Sequence, residues 1–395
     1  MTIEFPPGKR PCFIGVGYSP CHRYAPRSLG SIAYEAVTNA VADAGIELSQ
    51  IDGISVYPNP LGVNRGIVGH EVIPATYMMR MLGLPNVRWF NQTNWSMIAA
   101  SVIEAANALA AGACDYALVY RALHHPAGVR YHDNPATTAG GGNQFTVPFG
   151  HGGGGPRQAL HFQRYLEKYG APREALADAV LNAHRNAQLN ENAAWYGREI
   201  SRDDYLNARI ISWPMLLFDY DMPVDGAGAV IMTTEDRARG TPHPGGYIAG
   251  YAMTPHSLER GGIIESLEDL YAMDGLHAEN LYRSAGLGPE DVDVLHLYDG
   301  FSPMMWTRME TFRFCGEGEA HAWATAERLA RDGEQPFNTS GGNLGEGRLH
   351  GMAHVAETAR QMMGTAGPRQ IAGAEVALCE VGPFAMGASF ICTRD

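Results

Sequence analysis

The residues best placed to do chemistry lie between Asn338 and Met362, where the chain reads Asn338-Thr-Ser-Gly-Gly-Asn-Leu-Gly-Glu-Gly-Arg348-Leu-His350-Gly-Met-Ala-His354 and continues with helical periodicity. Five glycines between Gly341 and Gly351 let the backbone turn sharply and lie close to a ligand. The helix after them starts with unpaired N–H groups, and such a start favours anions and enolate-like charge. Arg348 and His350 stand at that start. A plain turn ahead of a core helix would have the same pattern, so the rest of the chain must decide. Of the six cysteines (12, 21, 114, 315, 379 and 392), none forms a Cys-x-x-Cys pair or a spacing typical of zinc. They read as free thiols of a reducing compartment, and Cys379 alone is a candidate for chemistry.

Composition narrows the function classes. The 395 residues, 45% of them hydrophobic, can bury one large or two medium cores. Lys and Arg number 29 against 42 Asp and Glu, a formal charge of −13, which argues against non-specific nucleic-acid binding. The amino terminus, Met1-Thr-Ile-Glu-Phe-Pro-Pro, lacks the basic and apolar regions of a signal peptide, and no apolar run approaches the roughly 20 residues of a membrane span. A cytoplasmic protein is expected. His124, His125 and His151 have no ligand spacing that supports a metal. Gly152 to Gly155 is followed by Pro156-Arg157 and so is no phosphate loop. Arg121, Arg130 and Arg157 are cationic groups that could meet a substrate's phosphates.

The elements that position these residues are duplicated. A helical stretch from Ala33 ends at Gly45 and is followed by Ile51-Asp52-Gly and a strand to Tyr57; another from Asn280 ends at Gly286 and is followed by Val292-Asp293-Val and a strand to Tyr298. Gly45 and Gly286, Asp52 and Asp293, and Tyr57 and Tyr298 are each 241 residues apart. A second pair of units, Ser101–Gly112 with the strand Asp115–Tyr120 and Ala353–Gly364 with Glu375–Cys379, sets Ser96 opposite Arg348 at an offset of 252. Two pseudo-symmetric helix starts are thus predicted in one cleft. With further strands at Cys12–Val16, Gly226–Thr233 and Tyr247–Met253, the pattern predicts two α/β halves of mixed sheet layered with helices. The first half spans 1–239, the linker 240–246 and the second half 247–395. A long excursion at 124–217, with helices expected at Arg157–Gly170 and Arg173–Asn190, covers a site or builds a partner surface.

The duplicated layout, the helical excursion, Asp225-Gly-Ala-Gly-Ala-Val-Ile, Tyr298-Asp-Gly-Phe301, Asn338-Thr-Ser-Gly-Gly342 and the glycine-rich end together resemble the thiolase superfamily. The resemblance covers nearly the whole chain and is to the sterol-carrier-protein-like, or lipid-transfer-protein, branch. It implies a thiolase fold of five α and β layers (αβαβα), a coenzyme A thioester substrate, no bound cofactor, and a homodimer formed between the sheets of the first halves.

Individual positions depart from a thiolase. Where the family places its nucleophilic cysteine, this chain has Ser96, and a serine without a paired base is a poor substitute for a thiolate. The family's Gly-His-Pro reads Gly347-Arg348-Leu349, and the branch pattern His-Asp-Cys-Phe reads Tyr298-Asp299-Gly300-Phe301. Only Cys379 stands where thiolases carry an acid/base cysteine, and the glycine spacing after it differs.

These losses resemble the steroid side-chain-cleaving aldolases of the superfamily. Such enzymes perform a retro-aldol cleavage of a β-hydroxyacyl-CoA and work with a small partner containing an OB-fold and a zinc ribbon, here expected to form a heterotetramer. The chemistry needs no covalent nucleophile. It needs a base near the β-hydroxyl and donors at the thioester oxygen. The resemblance assigns Tyr298 to acid/base work, helped by the charge of Arg348, which replaces a tyrosine of the aldolases. His350 is a donor to the thioester oxygen or a cap, and Asp299 orients Tyr298 or caps the next segment. Gly341, Gly342 and Gly382 offer backbone donors, while Ser96 and Cys379 remain binding candidates. Two other readings stand beside this one: a degenerate thiolase or acyltransferase using Cys379 or Ser96, and a non-catalytic lipid-binding or scaffold subunit.

Overall fold

The computed structural model describes residues 2–57, 73–93, 97–124, 144–151, 153–243, 245–255, 266–382 and 386–395. Its first half runs β1 (Pro11–His22), α1 (Leu29–Ala44), β2 (Gly53–Val56), α2 (Ala75–Leu82), β3 (Trp89–Gln92), α3 (Met97–Ala110) and β4 (Ala117–Leu123). The excursion adds α4 (Gly154–Tyr169), α5 (Leu176–Ala187), α6 (Arg202–Leu206) and the hairpin β5 (Ile210–Ser212) and β6 (Met215–Leu216). β7 (Asp225–Thr234) and α7 (Glu235–Ala238) close the half. The second half runs β8 (Gly245–Pro255), α8 (Leu267–Ala285), β9 (Val294–Leu297), α9 (Pro303–Thr311), α10 (Ala320–Trp323), α11 (Gly342–Gly345), α12 (Met352–Met363), β10 (Val376–Val381) and β11 (Met386–Thr393). Gly245 and Gly246, expected in the linker, are already part of β8.

The duplication is physical. α1 and α8 end on glycines in the left-handed region, Gly45 at φ 65° and Gly286 at φ 70°, a conformation glycine adopts without penalty. Asp52 accepts the N–H groups of Asp115 and Tyr116 at 2.8 and 2.9 Å, and Asp293 those of Glu375 and Val376 at 2.8 and 2.9 Å. Each aspartate therefore ties the strand it leads into to the start of the parallel strand beside it. Strand pairing repeats as well. β2 with β4 and β9 with β10 are parallel; β4 with β7, β10 with β11, β1 with β7 and β8 with β11 are antiparallel.

Among the described residues the strands follow one another in the order β3-β2-β4-β7-β1-β8-β11-β10-β9. The two half-sheets meet where β1 and β8 pair, at Cys12 opposite Tyr247. α1 covers the outer face of the first half-sheet and α8 that of the second, while α3 and α12 touch strands of both. The layers are thus helix, sheet, paired inner helices, sheet, helix. The inner helices are enclosed almost all round, with every residue of α12 except Arg360 buried; its buried His354, Glu357, Thr358 and Gln361 are polar groups held inside.

The excursion grips the glycine-rich stretch. Asn186 of α5 donates to the carbonyls of Phe337 and Asn338 at 3.0 and 3.1 Å, and Asn182 donates to that of Phe337 at 3.1 Å. A Cβ on Gly345 would come within 2.5 Å of the Ala183 carbonyl oxygen, so α11 seats on α5 only because its facing residue is glycine.

Candidate active site

Tyr298 follows directly on the carboxyl end of β9 and is 3% exposed. Its amide N–H donates to Glu380 Oε2 at 3.1 Å, and that carboxylate pairs with Arg308 Nε of α9 at 2.8 Å. The phenol ring lies over Gly300, where a Cβ would sit 2.8 Å from the hydroxyl oxygen. The Gly in Tyr-Asp-Gly-Phe is thus the space the ring occupies. No hydrogen bond links the Tyr298 hydroxyl to a described residue.

Asn338 stitches the glycine-rich stretch to the same strand end. Its amide accepts from the Leu297 N–H and donates to the Leu297 carbonyl, both at 3.0 Å. Asp299 then accepts the N–H groups of Asn343 and Leu344 at 2.7 and 3.3 Å, capping α11, and lies 3.1 Å from His354 Nε2. Of the two roles weighed for Asp299, the geometry supports the cap. Gly342, at φ 59°, leaves room for it, since a Cβ there would fall 2.3 Å from Asp299 Oδ2.

Backbone donors were expected at Gly341 and Gly342, and the structure corrects this. The Gly341 N–H is held by the Asn338 carbonyl at 2.8 Å and the Gly342 N–H faces Ser340 Oγ at 3.4 Å. Gly382 gives its carbonyl to Arg308. Cys379 sits in the sheet between His296 and Phe390 and is wholly buried; burial pushes its thiol above the usual range. Its neighbour on α12 is Thr358, six residues beyond Met352 and so ~9 Å further along the helix. It is a core thiol. Ser96 falls outside the described residues, immediately before α3.

Arg348 and His350 come together with partners that the local sequence did not reveal. Arg348 Nε lies 3.6 Å from Asp221 Oδ2, with side-chain exposures of 12% and 1%. The Arg348 N–H is held by the Met222 carbonyl at 2.9 Å, and the Asp221 N–H by that of Gly300 at 3.2 Å. The segment between the excursion and β7 thus bridges the two motifs. His350, at φ 53° and fully buried, sets Nδ1 2.8 Å from Arg121 Nη2. Arg121 Nη1 donates to the Tyr57 carbonyl at 2.5 Å, and its guanidinium stacks 4.8 Å from the centre of the Tyr57 ring. Arg121 is 0% exposed and therefore meets no phosphate. Arg130 lies outside the described residues. Tyr57 could have been found from its offset of 241 to Tyr298, and Arg121 from being the one charge in an otherwise uncharged strand.

Charge states follow from these surroundings. Burial, then the neighbouring Arg348 and Arg121 cations, hold His350 well below the usual imidazole range, so it is neutral. Burial, then the Asp221 charge, raise the Tyr298 phenol above its usual range and outweigh the opposing pull of Arg348. The expected assistance from Arg348 is thus spent largely on Asp221. Tyr298 rests protonated.

Burial pushes the Glu380 carboxyl up to about 7 against the opposing pull of Arg308. A carboxyl in an unfolded chain titrates near 4.3, so the folded state holds this proton more tightly. Its contribution to stability is full below about pH 4.3 and is lost as pH rises through about 7. Relative to Glu380→Gln, the melting temperature of the wild type should fall between pH 5 and 8; a constant difference would contradict this.

Residues 266–391 match the family model described as "Thiolase C-terminal domain-like". The chain is 31% identical over 371 residues to a steroid side-chain-cleaving aldolase of Thermomonospora curvata, covering 89% of this chain and 90% of that one. The chain belongs to the steroid side-chain-cleaving aldolases of the thiolase superfamily. This aldolase is also 30% identical to the 17-hydroxy-3-oxo-4-pregnene-20-carboxyl-CoA lyase of Mycobacterium tuberculosis, over 93% of its own length and 95% of the relative's. A solved structure described as "Ltp2-ChsH2(DUF35) aldolase" superposes with a TM-score of 0.85 at 28% identity, covering 98% of both chains. The aldolase is accordingly a carbon–carbon lyase. No helix among its described residues is long and apolar enough to cross a membrane.

Proposed function

We propose that this aldolase cleaves a β-hydroxyacyl-CoA with a steroid acyl group, releasing a short acyl-CoA and a steroid ketone or aldehyde without a covalent acyl-enzyme. The observation that carries this reading is the absence of a usable thiol. All six cysteines are free, none is exposed, and burial raises every thiol above its ordinary range. This argues against a thiolate nucleophile at neutral pH, while Tyr298, Arg348 and His350 lie within reach of one another's charges through Asp221 and Arg121.

The retro-aldol step divides among named groups. The Tyr298 oxygen takes the proton of the substrate β-hydroxyl and releases its own to solvent at the partly exposed wall beside Arg348. The bond between the α- and β-carbons breaks, the β-carbon becomes a carbonyl, and the electron pair passes into the thioester as an enolate. His350, neutral and with Nε2 unpartnered among the described residues, donates to the enolate oxygen. A proton taken back from solvent by the α-carbon balances the one released through Tyr298 and completes the short acyl-CoA. Arg348 holds Asp221 in place and gives the partly exposed wall of the site its positive charge. No bound cofactor enters this scheme.

The partner and the oligomer are part of the proposal. The structurally similar aldolase is described together with a DUF35 protein, which supports a small OB-fold and zinc-ribbon subunit here, in a heterotetramer. Among the described residues β3 pairs with β2 on one side only, and it exposes Phe90, an edge suited to a two-fold partner. Phe90→Lys should shift the mass measured by light scattering from dimer toward monomer; an unchanged dimer would place the interface elsewhere.

The function is tested by incubating a β-hydroxy steroid acyl-CoA with the protein, alone and with the small partner, and identifying products by mass spectrometry. A short acyl-CoA with a steroid carbonyl product is expected. No turnover in either condition would favour the scaffold reading.

A further inference from the structure

We propose that Arg121 is a positioning residue that fixes the tautomer of His350, so that the imidazole always presents its Nε2–H to the substrate. The inference deepens the reading of His350 as the enolate's donor and rests on it. Its basis is hydrogen-bond inventory. A guanidinium has five donors and no acceptor. Placed 2.8 Å from His350 Nδ1, it requires that nitrogen to accept. The single proton of the neutral ring must then sit on Nε2.

The geometry leaves Arg121 little freedom to do otherwise. It projects from the middle of β4, whose Arg121 pairs with Gly228 of β7. One guanidinium nitrogen is held by the Tyr57 carbonyl, the other faces His350, and the plane rests on the Tyr57 ring, all with no solvent exposure. The Tyr57 ring in turn meets the His350 ring edge-on, with centres 5.8 Å apart. His350 Nε2 is buried with no hydrogen-bond partner among the described residues. A donor buried without a partner is costly, and a substrate oxygen arriving there would satisfy it.

The same arrangement keeps the ring from charging. The groups facing His350 are Arg121 from β4, Arg348 from its own loop and Tyr57 beyond β2, with Tyr298 beyond β9 acting on Arg121. Two of these are cations and the phenols rest protonated. A second proton on the imidazole would put a third positive charge against a guanidinium that cannot accept a hydrogen bond.

The test uses the full-length protein labelled with 15N in histidine, with His350→Gln to assign the resonance. In the wild type the His350 shifts should report one tautomer, Nε2–H, and no titration between about pH 5.5 and 8. In Arg121→Met, which keeps the stem and removes the donors, His350 should show mixed tautomers or begin to titrate. Its kcat should fall about tenfold or more, toward the loss expected for removal of an oxyanion donor, with KM changed less than about twofold, because ground-state binding is untouched. Arg121→Lys, which restores one donor and the charge, should recover part of the kcat and of the tautomer bias. A wild-type His350 carrying its proton on Nδ1 would overturn the proposal. So would an Arg121→Met variant with unchanged shifts and kcat, or a variant whose kcat loss is accompanied by wild-type shifts. The nuclear shifts do not depend on the substrate. A fixed Nε2–H in a protein that turns over no steroid acyl-CoA would therefore retire the proposed function while leaving the positioning role standing.

Discussion

Tyr298→Phe is expected to lower kcat for the retro-aldol reaction by about 10²–10⁴-fold, the usual worth of a positioned acid/base group, while leaving the melting temperature close to that of the wild type. The two halves of this expectation have separate causes. The Tyr298 ring is buried over Gly300 and beside His354, with ring centres 6.0 Å apart, and phenylalanine retains all of that packing. The hydroxyl bonds to no described residue, so its removal leaves no protein group unsatisfied. What disappears is the oxygen that takes the proton of the substrate hydroxyl. Steady-state rates with a β-hydroxy steroid acyl-CoA, alongside a thermal melt, read both halves. A Phe variant with kcat within a few-fold of the wild type would remove Tyr298 from the chemistry. Because burial and Asp221 hold the phenol above its ordinary range, the wild-type kcat should show no ionisation of Tyr298 between about pH 6 and 9.

The second large effect is expected at His350. Loss of one donor to a developing oxyanion typically costs about 10²–10³-fold in kcat, and His350→Phe should fall in that range. This change also withdraws the acceptor of a fully buried guanidinium, which should cost about 1–3 kcal/mol of stability. His350→Gln keeps an acceptor for Arg121 and a donor for the enolate, and should recover part of both losses. The comparison separates the two roles: a Gln variant as slow as Phe but as stable as wild type would mean that only the interaction with Arg121 matters to the fold and that the amide fails to reach the substrate. A Phe variant with undiminished kcat would exclude His350 as a donor in the transition state.

Much of the fold was legible because its signals are local. A glycine that caps a helix in the left-handed region and an aspartate that binds two N–H groups of a neighbouring strand are short patterns, and they recur at one offset, so Gly45 with Gly286 and Asp52 with Asp293 revealed the duplication. The excursion helices were readable from periodicity and breakers. The site was legible only where a motif named it. Tyr298, Arg348 and His350 were singled out, yet the groups that set their charge are distant in sequence. Arg121 lies 229 residues before His350, and nothing about a lone arginine in a strand says which imidazole it will meet. Asp221 lies between the excursion and β7 and reaches Arg348 only after the chain has folded back. The glycines were correctly read as a tight turn, but the role of their missing side chains was misread. What a Cβ on Gly342 or Gly345 would strike is Asp299 or α5, neither of which is visible from the loop itself. Cys379 shows the converse: a position that matches a catalytic one in sequence lies within a sheet, where burial makes its thiol unreactive.

The central claim is that carbon–carbon cleavage here proceeds by retro-aldol chemistry and uses no thiol, either the protein's or the solvent's. The most direct measurement is the rate of short acyl-CoA release from a β-hydroxy steroid acyl-CoA as a function of added free coenzyme A. Retro-aldol cleavage predicts a full rate with none added and no increase as it is titrated in. A rate that rises in proportion to free coenzyme A and vanishes in its absence would mean thiolysis, and would contradict the account.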